Sequence, residues 1–517
     1  MTPPDDSKGL AVLVGAGPGG APLITVEGRS WLSRADVVLY DRLAAPELLA
    51  ACRADAERVY VGKKPGSPAR SQEDICRLMI AACRAGKLVV RLKGGDPLIF
   101  GRGGEEADAL AEAGIDFRIV PGITAAIAAG ACAGIPLTDR RAASTVTFVT
   151  GHEDPAKSDS TIDYAALARL DTLVFYMGVG NLPAIAERLI AAGRSGDTPV
   201  AIVQNAARPG QRTVTATLAT AAAAGREAGV APPAVLIVGN VVKIRQRIAW
   251  LEKLPLFGRT VLVTRTRQQA SALAERLAEL GANAVECPTI EVHPPADWAP
   301  VDAALGRLGE FDWLVLTSPN GAAALLDRLA ALGQDARALA GVRIAAVGPA
   351  TADVLRRHFL QPDLLPAKFT TAALGEAMAS EIGGARCRCL LARADIASDA
   401  LPQILRQAGA DVEQVVLYRT VRPAALPDAA VAALREGTVD WVTFTSSATV
   451  ENFAALLEGQ GVSLDGVKLA SIGPVTTQTL RDRGLTPTAA ADVHTIEGLV
   501  DAMARAAAGG QGPATRR

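Results

Sequence analysis

The strongest constraint on the fold is a long internal repeat. Leu262-Val-Thr-Arg265 recurs as Leu390-Leu-Ala-Arg393, and Gly281-Ala282 recurs as Gly409-Ala410. Asp312-Trp-Leu-Val-Leu-Thr-Ser318 returns as Asp440-Trp-Val-Thr-Phe-Thr-Ser446, and Ala346-Val-Gly-Pro349 as Ser471-Ile-Gly-Pro474. The offset is 128 residues for the first three pairs and 125 for the last. A solenoid unit repeats every 20–50 residues or about that, so this period marks a duplicated domain. Each copy is then a small sheet flanked by helices, and paired lobes of this kind hold ligands in the cleft between them.

The first half carries no such repeat but shares the alternation of elements. Apolar runs bounded by Gly, Pro or Asp alternate with Ala/Leu/Arg stretches of helical period. Ala11–Val14, Val37–Tyr40, Leu88–Leu92, Phe117–Val120, Thr147–Thr150, Thr172–Tyr176, Val200–Gln204 and Ala234–Val238 are expected strands. That pattern is α/β with largely parallel sheets. A break falls near Trp250 to Gly258, so the chain divides into 8–250, a linker 251–258, and 259–505, with a disordered tail over 506–517 that contains Ala508-Gly-Gly-Gln-Gly-Pro.

Bulk properties exclude several classes. Half of the 517 residues are apolar and the formal net charge is −1, which favours neither nucleic acid nor an anionic membrane. Met1–Leu10 has no apolar h-region of a secretory signal, and no run approaches the roughly 18 apolar residues of a membrane span, so the expected location is cytoplasmic. The seven cysteines are scattered, with Cys387 and Cys389 too close for a zinc knuckle or a redox CxxC, and the four histidines form no ligand cluster. No metal is expected, and the thiols are expected to be reduced and buried.

Two glycine loops carry the chemistry of the first half. Gly15-Ala-Gly17-Pro-Gly-Gly20 follows a strand and meets the GxGxxG spacing, with Asp41 about twenty residues on. Alone this is a dinucleotide fingerprint and would make the protein an oxidoreductase. Pro18, however, removes one N–H that such a loop offers its phosphate. The second loop, within Val89–Glu105, places Gly94-Gly95-Asp96-Pro97 at a strand's C-terminal end, then Arg102 and Glu105 on a glycine-rich segment. Carbonyls and a carboxylate there suit a sulfonium and an ammonium better than a ring of donors would.

With these motifs, residues 10–245 resemble a uroporphyrinogen-III C-methyltransferase of the tetrapyrrole methylase fold. The matching pieces include Val14-Gly-Ala-Gly-Pro-Gly19, Val38-Leu-Tyr-Asp-Arg-Leu43, Val61-Gly-Lys63 and Arg91–Glu106. Val120-Pro-Gly-Ile-Thr-Ala-Ala126, Gly134-Ile-Pro-Leu-Thr138, Phe148-Val-Thr-Gly-His152, Val174-Phe-Tyr-Met-Gly178 and Asp197-Thr-Pro-Val200 follow in the family's order. The resemblance implies two lobes with S-adenosyl-L-methionine between them, contacting Pro18, Gly94, Gly95, Asp96, Ile99, Thr124, Ala125, Met177 and Ala206. It implies Asp41 as proton acceptor, Lys63 as proton donor, Arg102 and Glu105 on the macrocycle, and a homodimer through this domain. Methylating C2 and C7 of a porphyrinogen must shed a proton, so a placed base helps. The substrate's carboxylates call for Arg42, Lys63, Lys64, Arg70, Arg91 or Arg102. The chain departs from the family at Gly20-Ala21, where Asp-Pro is common, at Thr138-Asp139-Arg140, where Thr-His-Arg is common, and at Glu27, where a basic residue is usual. Methylation of a later corrin intermediate is an alternative.

Residues 258–505 resemble uroporphyrinogen-III synthase. The signals are Val263-Thr-Arg265, Pro288-Thr-Ile-Glu291, Asp312–Gly321, Ala346-Val-Gly-Pro349, Val416-Leu-Tyr-Arg-Thr420, Phe444-Thr-Ser-Ser447 and His494-Thr-Ile-Glu497. Crossovers are expected near Pro288–His293 and Tyr418–Pro423, giving lobe one 259–289 plus 423–505 and lobe two 292–418. The synthase closes linear hydroxymethylbilane to uroporphyrinogen III with inversion of ring D, and folding the chain supplies most of the catalysis. Tyr418 is the candidate donor to the departing hydroxide, against the alternative of a tyrosine in a hinge strand. Arg265, Thr317, Ser318, Asn320, Thr445, Ser446, Ser447 and Thr476 are candidates for substrate carboxylates, with plain turns and helix caps as the competing reading. A half that binds tetrapyrrole without catalysis is the remaining alternative.

Overall fold

The computed structural model describes residues 9–62, 70–152, 161–265 and 267–509. The chain forms two compact units that meet in sequence at Thr260/Val261, with Leu277–Asn283 grouped with the first.

The first unit holds two five-stranded sheets. Strands β1 (Leu10–Gly15), β2 (Val37–Tyr40), β3 (Glu57–Tyr60), β4 (Leu88–Lys93) and β5 (Asp116–Val120) lie in the order β3-β2-β4-β1-β5. Every pairing in this sheet is parallel. Both faces of β1 are buried. Val12 and Val14 pack with Trp31 and Leu32 on one side, while Ala11 and Leu13 pack with Met79 and Leu110 on the other. This two-sided burial is why the strand is continuously apolar rather than alternating.

The second sheet contains β6 (Val146–Thr150), β7 (Thr172–Tyr176), β8 (Pro199–Gln204), β9 (Arg212–Thr217) and β10 (Ala234–Val238), in the order β6-β7-β10-β8-β9. Here the expectation of largely parallel pairing fails. Only β6 and β7 run parallel, whereas β10 is antiparallel to both β7 and β8, and β8 is antiparallel to β9. The β8–β9 connection, 205–211, is too short for the dozen or so residues that a parallel crossover needs. β3 and β9 are sheet-edge strands without an apolar run, so they leave no strand signal in the sequence.

The segment 251–258 is not a loose linker. Leu251–Lys253 forms a 3₁₀ turn. The Glu252 carboxylate accepts Arg245 at 2.8 and 3.1 Å and the Thr213 hydroxyl at 3.1 Å. Leu256 is fully buried, and its N–H donates to the Leu280 carbonyl at 3.0 Å. Pro255 punctuates the sequence, but the residues around it lie against Leu280 and Gly281.

The second unit repeats one sheet design. β11 (Thr260–Val263), β12 (Asn283–Glu286), β18 (Trp441–Phe444), β19 (Lys468–Ser471) and β20 (Ala489–Ala490) are ordered β12-β11-β18-β19-β20. β13 (Glu291–His293), β14 (Trp313–Leu316), β15 (Arg343–Ala346), β16 (Cys387–Ala394) and β17 (Ala410–Val421) are ordered β13-β17-β16-β14-β15. The register carries the duplication. Val263 faces Thr443 in one sheet and Leu391 faces Val315 in the other, positions related by the same 128-residue offset. The chain enters the inserted sheet at β13 and leaves it at the end of β17, and these two strands run antiparallel with Val292 opposite Thr420. The last helix, Ile496–Ala508, runs through the first residues of the segment expected to be disordered, while 510–517 lie outside the described residues.

Replacing a fully buried leucine by alanine costs about 2–5 kcal/mol, whereas a leucine in a free linker costs almost nothing. Leu256→Ala should therefore lower the stability of the protein by about 2–4 kcal/mol in urea or thermal unfolding. A change below about 0.5 kcal/mol would return this segment to a linker.

Candidate functional site

In the first unit, three strand ends of the parallel sheet meet backbone to backbone. Gly17 and Gly95 exchange hydrogen bonds at 3.1 and 2.9 Å, and the Ala16 N–H donates to the Lys93 carbonyl at 2.7 Å. Both glycines have left-handed φ, +70° and +73°. A Cβ on Gly15 would stand 2.5 Å from the Gly122 Cα, and one on Gly122 would stand 2.2 Å from the Gly95 carbonyl oxygen. The glycines after β1 are thus used to dock the loop after β4. The Ala16 and Gly17 N–H groups point at protein carbonyls, not outward at a phosphate, which removes the physical basis of a dinucleotide loop.

Beyond these ends lies a cleft of about 590 Å³, within the ordinary range for a small-molecule site. Pro18, Gly94, Gly95, Asp96, Ile99, Thr124 and Ala125 line it from the first sheet's loops, and Met177 and Ala206 from the second sheet's loops. Asp41, Arg42 and Arg102 line it as well. Asp96 braces the wall, since its carboxylate accepts the Leu98 and Gly122 N–H groups, both at 2.9 Å. Tyr176 closes the other side with its hydroxyl 2.6 Å from the Thr124 hydroxyl and 3.0 Å from the Ala126 N–H, and burial pushes its pKa up. Arg208 ties three loops together, donating to the Pro18 carbonyl at 3.2 Å and the Leu43 carbonyl at 2.9 Å.

The backbone around the cleft is strained. Among the described residues, six non-glycine positions have left-handed φ, and Phe100, Arg102, Met177 and Asn205 of these line the cleft. A fifth, Ala207, packs its carbonyl against Gly19. Each such residue costs roughly 1–2 kcal/mol, so this grouping marks a site whose shape is held by its surroundings.

One wall is charged. Asp41 accepts the Leu43 N–H at 3.0 Å and the Arg91 guanidinium at 3.1 Å. Arg91, expected to face substrate carboxylates, is instead 4 % exposed and also bound to Glu106 at 3.1 Å, because a central strand leaves no room for an unpaired cation. Lys93 donates to Glu106 at 2.8 Å. Burial and the neighbouring Arg91 charge push the Lys93 pKa down, while Glu106 opposes the shift. Arg42 and Arg70 are exposed. Arg102 is forked onto Glu105 at 2.8 and 2.6 Å, so Glu105 stands behind Arg102 and is not part of the lining. Lys63 and Lys64 lie outside the described residues.

The departures from the family pattern have local partners. Gly20 precedes a 3₁₀ turn, Ala21–Leu23, with no side-chain cap. Glu27 accepts the Trp31 indole N–H at 3.3 Å, and Asp139 is forked onto Arg141, which holds its carboxyl well down, at about 2.

In the second unit the candidates fall at the ends of the duplicated strands. Thr317, Ser318 and Asn320 follow β14, and Thr445, Ser446 and Ser447 follow β18, all half-buried. Ser318 caps the helix Pro319–Ala331 by accepting the Gly321 N–H, and Ser446 caps the helix Ser447–Leu457 by accepting the Thr449 N–H. Ser318 also stands 2.9 Å from the Tyr418 hydroxyl, whose pKa burial pushes up. Ser447 accepts the Thr479 hydroxyl at 2.7 Å. Thr476 is buried, 4 % exposed, in the first turn of the helix Pro474–Asp482. Arg265 follows β11, half-buried and without an ion pair among the described residues, and desolvation pushes its pKa down. Among the described residues, no group of three or more His, Cys, Asp or Glu could hold a metal, and no helix is long and apolar enough to cross a membrane.

The profile of the tetrapyrrole (corrin/porphyrin) methylases matches residues 11–222, and that of uroporphyrinogen-III synthase matches residues 271–501. The porphyrin biosynthesis protein HemD of Ruminiclostridium josui is 37% identical over 496 residues, covering 96% of this chain and 97% of that protein. The chain belongs to this family, a tetrapyrrole methylase fused to a uroporphyrinogen-III synthase. The uroporphyrinogen-III C-methyltransferase of Bacillus subtilis is 39% identical over 362 residues, 69% of this chain and 74% of that one. A Thermus thermophilus uroporphyrin-III C-methyltransferase solved with S-adenosyl homocysteine is 41% identical, with a TM-score of 0.39, over 45% of this chain and 99% of that one. The protein is therefore a bifunctional enzyme of tetrapyrrole synthesis, with a methylating and a cyclising half.

In the methylase unit, Gln72, Lys93, Phe100, Tyr176 and Arg208 join the cleft without having been singled out in the sequence. Arg91 and Lys93 left a readable signal, since two cations at alternate positions of a strand buried on both faces demand a carboxylate. Phe100 and Arg208 left none, because their roles follow from backbone geometry and from loops far apart in the chain.

The two glycines after β4 should respond differently to alanine. At Gly94 a Cβ would lie 2.5 Å from the Leu43 Cβ, so Gly94→Ala must move the loop that carries Asp41. At Gly95 the nearest atom is 3.8 Å away, and the cost is the left-handed φ alone, about 1–2 kcal/mol. Titration calorimetry with S-adenosylhomocysteine should show Gly94→Ala weakening binding by about tenfold or more, the equivalent of about 1.4 kcal/mol. Gly95→Ala should mainly lower the melting temperature. Equal affinities for Gly94→Ala and the wild type would show that the Leu43 loop does not shape the site.

Proposed function

We propose that the second unit cyclises hydroxymethylbilane to uroporphyrinogen III and that the first unit methylates the product at C2 and C7 with S-adenosyl-L-methionine, yielding precorrin-2. The observation that carries this reading is that nine residues expected to touch the cofactor line one cleft, together with Asp41, Arg42 and Arg102.

The residues present fit the cofactor. Gly94 and Gly95 leave the cleft floor free of side chains, Thr124 and Ala125 face Gly95, and Met177 is an exposed, soft side chain at the mouth. When bound, S-adenosylmethionine supplies an electrophilic methyl group. The protein's part is alignment and proton transfer. Asp41 accepts the proton that the ring system sheds, with one oxygen held by the Leu43 N–H and the other by Arg91. Arg42 and Arg102 receive substrate carboxylates at the rim, and Arg102 exchanges Glu105 for them. An exposed pair of this kind is worth only about 0–1 kcal/mol, so the exchange is easy.

In the synthase unit, Tyr418 assists departure of the bilane hydroxide, oriented by its bond to Ser318. Arg265 and the N–H groups at the capped helix ends after β14 and β18 hold carboxylates. The cytoplasm suits the seven free thiols.

The test is to give the purified protein freshly generated hydroxymethylbilane, with and without S-adenosylmethionine, and to separate the oxidised products. Type III isomer without cofactor and a dimethylated product with it are expected. Asp41→Asn should keep the type III isomer and cut methylation by about 10²-fold or more. Tyr418→Phe should slow cyclisation and leave methylation of supplied uroporphyrinogen III unchanged. Type I isomer throughout, as in a protein-free control, would leave the second unit a tetrapyrrole-binding module.

A further inference from the structure

The wall of the methylase cleft contains a carboxylate that the proposed chemistry does not use. Glu106, in the helix Gly103–Glu112, is 0 % exposed. Its Oε1 accepts Arg91 Nε at 3.1 Å and Gln72 Nε2 at 2.9 Å, and its Oε2 accepts Lys93 Nζ at 2.8 Å. Arg91 then reaches across to Asp41 at 3.1 Å while a further N–H holds the Leu92 carbonyl at 3.0 Å. The contacts form one line, Lys93–Glu106–Arg91–Asp41, whose members other than Glu106 line the cleft.

Buried ion pairs are poor stabilisers, since well-packed apolar residues of similar volume serve as well or better. Four ionised groups at a cleft wall therefore need a reason beyond stability. The charges supply one. Two cations and two carboxylates sum to zero only while Asp41 is ionised. With Glu106 in place, Arg91 is shared between two carboxylates and Lys93 is occupied. Without that negative charge, both cations act on Asp41 alone and draw it toward the wall. Of the other charges on the cleft, Arg42 beside Asp41 is exposed and Arg208 is tied to the Pro18 and Leu43 carbonyls. Arg102 and Glu105, on Glu106's own helical turn, pair with each other, and burial raises the pKa of Cys76 on the helix Gln72–Arg84, which keeps that thiol neutral.

We propose that Glu106 is a positioning residue of the methylase, which through Arg91 and Lys93 sets the place of the Asp41 carboxylate and the charge that faces it. This rests on the reading of Asp41 as the proton acceptor.

The full-length protein is assayed with uroporphyrinogen III and S-adenosylmethionine, and S-adenosylhomocysteine binding is measured in parallel. Glu106→Gln should lower kcat by about tenfold or more, the scale of a misplaced general base, with KM and the dissociation constant changing less than about threefold. Adding Lys93→Met to Glu106→Gln removes the surplus positive charge and should recover kcat by about threefold or more over the single variant. A packing role predicts the opposite, a double variant no better than the single one, with the loss shared by ligand affinity. Either that result or an unchanged kcat in Glu106→Gln overturns the proposal. If the single variant fails to bind S-adenosylhomocysteine, the double variant carries the test: activity supports the charge balance, and inactivity with intact binding overturns it. Wild-type protein that does not methylate uroporphyrinogen III would instead overturn the reading of the unit itself.

Discussion

The methylase unit depends on a contact with no side chains in it. The backbones at Gly15, Gly95 and Gly122 come so close that a methyl group at Gly15 or Gly122 would overlap its neighbour. The paired hydrogen bonds of Gly17 and Gly95 then fuse the loops after β1 and β4 into one surface. Parallel strands place their C-terminal ends on one edge, which is where ligands bind in such sheets. Closing the gaps between those ends leaves a floor of backbone, and the side chains that matter stand around it. In the loop that resembles a phosphate loop in the sequence, the Ala16 and Gly17 N–H groups are turned inward.

Around this floor the structure accepts two further costs. Left-handed φ at Phe100, Arg102, Met177, Asn205 and Ala207 aims loops from both sheets at one cleft, and the Arg208 fork on Pro18 and Leu43 holds them in register. A line of charge, from Lys93 through Glu106 and Arg91 to Asp41, holds the Asp41 carboxylate at the edge of the cleft. Strain and buried charge in one place are the mark of a site shaped for chemistry. The synthase unit is built more conventionally, from two sheets of matching register whose strand ends carry serine-capped helices.

Much of the fold was legible because its strands are apolar runs between glycines, and the 128-residue repeat by itself implies the paired sheets. What was not legible has physical causes. β3 and β9 sit at sheet edges and carry no apolar run, and the antiparallel pairing in the second sheet is set by the short 205–211 connection. The linker expected at 251–258 is packed because Leu256 and Glu252 find partners that no local pattern reveals. At the site, motif residues fell together at the cleft, but the Glu106 hub required seeing that Arg91 and Lys93 share a face of a buried strand. In the synthase unit, Ser318 and Ser446 do cap helices, so the competing reading of these positions describes their geometry even where they also serve a substrate.

The backbone floor at Gly94, Gly95, Thr124 and Ala125 is the proposed seat of the methyl donor, with Asp41 lining the same cleft. The most direct measurement is a crystal structure of the full-length protein with S-adenosylhomocysteine. The ligand should lie against these four residues, with Met177 and Ala206 closing over it. Ligand bound instead along the N–H groups of the Gly15–Gly20 loop, or outside the first unit, would contradict that placement.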